Sequence, residues 1–222
     1  MMRPIALGEG RTEPARGFTL IELMITVAIV GVLAVVAYAG YHKFVVSSHQ
    51  TEANHILAGI KNRQEAYKAE TGTYMNISPA LASNQVTANF GYLYPHCMVA
   101  GTPYPGAFNV AWPTATCGGC CNSGTDWLKL KMQVDAPTFY GYSTVAGGSA
   151  MAGASGGTSP ANVCSTLTIG GPANNAPNWP PNAAKSPWFV ASAVGDTDGN
   201  GIFTTSWISS FDNEVYIDMD GE

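Results

Sequence analysis

Three groups of residues have types and spacings that could do chemistry. The first is Glu22, a lone carboxylate at the head of an apolar run. From Leu23 to His42 there is no Asp, Glu, Lys or Arg. A charge at the edge of such a segment is costly to keep, so it marks a functional site. The second is Asp196-Thr197-Asp198-Gly199-Asn200-Gly201. Oxygen ligands at Asp196, Asp198 and Asn200, followed by Gly, match the opening of a calcium loop. The full EF-hand pattern fails, because its twelfth position is Trp207 rather than Glu. Asp212, Glu214 and Asp218 are available to close the site, and the competing reading is an Asp/Gly turn joining two strands. From Asp196 to Glu222 there are seven acids and no Lys or Arg, a cluster that repels itself unless solvated or bound to a cation.

The third group is the cysteines Cys97, Cys117, Cys120, Cys121 and Cys164. Two disulfides and one leftover thiol are expected, with the pairing open. Cys117 and Cys120 have a zinc-ligand spacing, but no second such pair and no nearby His pair accompany them. No reacting constellation is present. His42, His49, His55 and His96 are scattered, no Ser sits in a nucleophile elbow, and no phosphate-binding Gly loop is found. An enzyme is not expected.

The elements that must position these groups follow from periodicity. The apolar run is about 20 residues, long enough as a helix to cross a hydrocarbon core of about 30 Å. It contains the small residues Gly31, Ala34, Ala37, Ala39 and Gly40, which let helices approach closely. No Pro interrupts it, so any local bend must rely on Gly40. Beyond it Ala53, Ile56, Leu57, Ile60, Gln64 and Tyr67 recur at spacings of three and four, and Gly72 ends the pattern. One helix of roughly 50 residues results, far longer than the usual 11–12.

After Tyr74 the helical period is lost. Met75 to Thr125 reads as a long loop. Trp127–Val134 alternates strictly and predicts a strand, paired in a hairpin with a return strand at Thr138–Val145. Gly147–Asn162 and Gly170–Pro187 read as loops. Trp188–Val194 and Glu214–Met219 are further strand candidates.

The stretch Gly17-Phe18-Thr19-Leu20-Ile21-Glu22-Leu23-Met24-Ile25 resembles the prepilin processing site of type IV pilins and type II secretion pseudopilins, and the likeness is type IVa-like. It extends to about Tyr74, a quarter of the chain. The resemblance implies that a prepilin peptidase cuts between Gly17 and Phe18, that Phe18 is N-methylated, and that Glu22 sets subunit register. A physical reason for the last is that cleavage creates an α-amino group on Phe18. An unpaired carboxylate in an apolar filament core costs several kcal/mol, which a neighbour's amine offsets. Only correctly staggered subunits then assemble.

The fold implied is α+β and pilin-like: a long N-terminal spine helix, transmembrane in its first half, on a small antiparallel sheet with long loops. Residues 1–17 are the leader, 18–42 the transmembrane half of the spine, 43–72 its amphipathic half, and 73–222 the head. The chain has 222 residues, of which 11% are charged. Removing 1–17 leaves 7 basic residues (10 less Arg3, Arg11 and Arg16) and 13 acidic (15 less Glu9 and Glu13), a net charge of −6. That balance suggests no nucleic-acid surface.

The function implied is a structural subunit of a type IV pilus for adhesion and twitching motility. The expected partners are further copies of itself, the prepilin peptidase, the pilus assembly platform, minor pilins and the inner membrane. The precursor is expected in the bacterial inner membrane and the product in an extracellular pilus, with calcium the one cofactor suggested. A minor pilin or type II secretion pseudopilin is the nearest alternative, and a membrane-tethered calcium-dependent adhesin a more distant one.

Overall fold

A computed structural model describes residues 17–82, 92–96, 110–112, 124–148 and 186–218. The five cysteines, nearly all of the leader and most of the two loop regions between 147 and 187 lie outside the described residues.

Helix α1 runs unbroken from Leu20 to Thr71, 52 residues, and passes through Gly40 without interruption. It ends because Gly72 takes a left-handed φ of 81°, while its N–H still bonds the Lys68 carbonyl at 2.8 Å. The chain divides into two compact units, Met1–Phe44 and Val45–Glu222. In the first, α1 carries an apolar window of mean hydropathy 2.7, none of it buried. It is long and apolar enough to cross a membrane.

In the second unit α1 packs by the stripe its spacing predicts. Ala53, Ile56, Leu57, Ile60 and Gln64 are all buried. They meet a four-stranded antiparallel sheet in the order β1-β2-β3-β4, formed by β1 (Gly141–Gly147), β2 (Trp188–Gly195), β3 (Thr204–Ser209) and β4 (Tyr216–Asp218). Tyr142, Ala146, Phe189, Ala191, Ala193 and Ile208 share a core with the stripe. The alternate residues form a second layer in which Val145, Trp188, Val190 and Trp207 gather around Leu81. Gln64, buried and polar, is matched on both sides. Its amide donates to the Met75 carbonyl at 2.8 Å, and its oxygen accepts from the Met75 N–H at 2.9 Å. The segment after Gly72 is thereby folded back along the helix. Edge strand β1 is closed by that same segment, where Ser78 N–H bonds the Thr144 carbonyl and Asn76 caps Ala146 N–H.

The architecture is the α+β arrangement the sequence implies, with two corrections. Trp127–Val134 is not a strand. A short helix α2 occupies Gly124–Lys129, and Lys131 then turns the chain with a φ of 55°. The i,i+3 spacing of Trp127 and Leu130 beats the alternation, because both are buried on one side while Leu128 stays 39% exposed. Lys129 and Asp126, also three apart, pair at 2.7 Å across the same turn. The strand expected at Thr138–Val145 is β1, but its partner is β2, not the segment before it.

Candidate functional site at the start of the long helix

Gly17, Phe18 and Thr19 precede α1, and Thr19 is its N-cap. The Thr19 hydroxyl accepts the Glu22 N–H at 3.2 Å. In return Glu22 Oε2 accepts the Thr19 N–H at 3.0 Å and its hydroxyl at 2.9 Å. This is a reciprocal capping box, which satisfies two of the helix's orphan donors. The carboxylate also lies at the positive end of the helix dipole. Glu22 therefore has partners within its own chain before any neighbour arrives.

Sequence reasoning singled out Glu22 and missed Thr19. The signal was present, since Thr followed three residues later by Glu and then an apolar run marks a helix start. Phe18 is 89% exposed, and among the described residues no atom lies within 4 Å of where a Cβ on Gly17 would stand. Beyond them Leu20, Ile21, Leu23, Met24 and Ile25 are exposed on every side of α1. A surface apolar all round is made for lipid or for other helices.

The acidic motif lies in the β2–β3 loop. Asp196 is 6% exposed, and its two carboxylate oxygens accept N–H groups from Gly199 (2.8 Å) and Gly201 (3.0 Å). Gly199 and Gly201 have φ of 75° and 84°, which aims those amides inward. Asp198 accepts from the backbone and side-chain amides of Asn200, whose own oxygen accepts from Ile202 N–H. Burial, and next the hydrogen bond with Asp198, push the Asp196 carboxyl up from the usual range, against the pull of the two glycine amides.

Of the carboxylates expected to close a cation site, Asp212 and Glu214 fall in the β3–β4 turn, at the opposite end of the sheet. Asp218 is the one on a strand that returns toward the loop, opposite Thr205. Asp212 is taken up by the Tyr216 hydroxyl at 3.0 Å, and Lys61 clips that turn to α1 through the Ser209 and Asp212 carbonyls. Among the described residues, no three His, Cys, Asp or Glu side chains gather closely enough to hold a metal.

Residues 14–38 match the family described as the prokaryotic N-terminal methylation motif. Over 78 residues the chain is 38% identical to the type IV major pilin protein PilA of Myxococcus xanthus, covering 35% of this chain and 36% of that protein. It is 41% identical over 59 residues to the fimbrial protein EcpC of Eikenella corrodens, covering 27% of this chain and 39% of that one. To the type IV major pilin protein PilE1 of Neisseria gonorrhoeae it is 40% identical over 65 residues, 29% of this chain and 30% of that one. The matched segment spans about a third of these relatives' length. No solved structure matches the chain.

Proposed function

We propose, from the premise that this chain carries the N-terminal segment of the type IV pilin family, that it is a structural subunit of a surface filament rather than an enzyme. The subunit is cut by a prepilin peptidase between Gly17 and Phe18 and methylated on the new Phe18 amine. An assembly platform and minor pilins then polymerise it into a pilus used for adhesion and twitching. The observation that carries this reading is the start of α1: an exposed Phe18 after Gly17, a capped carboxylate at Glu22, and a fully exposed apolar helix beyond it. A helix of that kind needs either lipid or sister helices around it, and a staggered bundle supplies the second.

Intact-mass and N-terminal analysis of filaments sheared from cells tests the proposal. The expected product starts at N-methylated Phe18. A chain found only in membranes and still carrying its leader would reduce α1 to an anchor and move the function into the head.

Calcium at Asp196, Asp198 and Asn200 is carried forward as a second, separable proposal. What favours it is the crowding of two carboxylates in one partly buried loop. An acid whose folded pKa is raised lowers stability as pH climbs from its unfolded value through the folded one. A cation between Asp196 and Asp198 would remove that penalty at neutral pH. Each carboxylate has about four lone-pair sites, so the amides already bound leave room for it. Millimolar calcium is expected to raise the melting temperature by a few degrees over a chelator control, and more at pH 7 than at pH 4. An unchanged melt at both pH values would mean that the loop closes on its own amides alone.

A further inference from the structure

Two exposed features of the head are chemically complementary and lie at different levels along α1. The first is a cleft of about 80 Å3 lined by Arg63, Tyr67, Glu70, Lys129 and Lys131. Lys129 is held by Asp126 at 2.7 Å, while Lys131 stands 3.8 Å from Glu70 with most of its side chain in solvent. Arg63 has no ion pair or hydrogen bond among the described residues. With Lys129 offset by Asp126 and Lys131 by Glu70, Arg63 leaves the cleft with one net positive charge. Lys131 also holds a left-handed backbone, φ 55°, a region that a side chain other than Gly, Asn or Asp seldom enters.

The second feature is the tip of the β2–β3 loop. Asp198 is exposed there and has no ion pair among the described residues, and Ile202 is 47% exposed beside it. The loop sits at the level of Glu52, because Tyr140 bonds Thr197 next to Glu52 and the His49 ring touches Phe139 at 3.9 Å. Arg63 to Glu70 are 11 to 18 residues further along α1. At roughly 1.5 Å per residue that is about 17–27 Å away, so cleft and loop cannot meet within one chain. Two different surfaces that fit each other but not themselves make a heterologous contact. Repeated, such contacts build a ring or an open helical array rather than a two-fold dimer, and the open array is the one a filament needs.

We propose that the cleft of one subunit receives the β2–β3 loop of a second copy of this chain, with Asp198 between Arg63 and Lys131 and Ile202 against Tyr67. The inference rests on the filament reading and adds the head-to-head contact that the N-terminal helix alone does not define. Guanidinium and ammonium donors around one carboxylate give charge-assisted hydrogen bonds, and reversing them places like charges together.

The test uses the full chain in cells, reading N-methylated Phe18 in the membrane fraction and filament yield after shearing. R63E/K131E is expected to be processed normally while filament yield falls about tenfold, the factor corresponding to about 1.4 kcal/mol. Adding D198K to that double variant is expected to restore yield to within about twofold of wild type, since the repeated contact is again between opposite charges. Wild-type yield from R63E/K131E would overturn the proposal, and so would a loss that D198K does not repair. Failure of the filament reading looks different, because unaltered chain would then give no sheared N-methylated product at all.

Discussion

Gly17→Ala is expected to leave the chain in the membrane as uncut precursor, with cleavage slowed about tenfold or more. The structure separates this effect from folding. Among the described residues nothing lies within 4 Å of a Cβ added at Gly17, which precedes the first residue of α1. An added methyl therefore meets no atom of the described residues. On the processing proposed above, the demand for Gly comes from the peptidase, which would have to close on the backbone at the bond it cuts. A pocket that fits one residue rejects a single added or missing carbon by about 10–200-fold. The size of the membrane-bound chain, followed with an antibody and by intact mass, reads the result. Normal cleavage of the variant would remove Gly17-Phe18 as the processing site.

The long helix and its polarity switch were legible because they rest on spacing alone. Ala53, Ile56, Leu57 and Ile60 are buried as their three-and-four pattern requires, and Gly72 stops the helix where it stands. The sheet was only half legible. In β2 and β3 nearly every residue is buried, because one face meets α1 and the other meets Leu81, Ala82, Leu93 and Phe211. A strand covered on both faces shows no alternation. β3, Thr204–Ser209, is further disguised by small polar residues whose burial is not written in their hydropathy. Ser143 and Ser192 explain why such residues suit this interior. Their hydroxyls lie 2.7 Å apart, and between them they bind both the N–H and the carbonyl of Ala82. Hydroxyls here do the work of a further strand, fixing a passing loop to the sheet.

The opposite error arose at Trp127–Val134, where alternation was present but did not make a ladder. Trp127 is fully buried among Tyr94 and Trp112, with ring centroids 5.8 and 5.4 Å away. An aromatic of that size, worth about 150–250 Å2 of buried area, sets the local path more strongly than the weaker pattern of Leu and Lys after it. Lys131 then reverses the chain, and Met132 is buried beyond the turn. The candidate site at the helix start was legible in its residues but not in its bonding. Glu22 stood out as a charge without an evident partner, whereas the capping box gives it two donors from Thr19.

That bonding decides what loss of the carboxylate should do. Glu22→Ala removes both the cap and the charge, and Glu22→Gln removes the charge while keeping a side chain that can complete the box. Thr19→Ala removes the cap and keeps the charge. Loss of an N-cap costs about 0.5–2 kcal/mol and frays one helical turn. A neighbour's Phe18 amine left without its carboxylate in a filament core costs about 3–5 kcal/mol, a hundredfold or more in assembly. The charge therefore outweighs the cap. Glu22→Ala and Glu22→Gln are both expected to be cut and methylated normally yet give under about 1% of wild-type filaments, while Thr19→Ala keeps about 3% or more. The carboxylate's spare lone pairs make the two roles compatible, since Thr19 takes Oε2 and leaves Oε1 for the incoming amine. Filament yield per processed subunit is the quantity to measure. Wild-type yield from Glu22→Gln would show that the side chain serves only to cap α1, and subunit register would then have to be set by the heads.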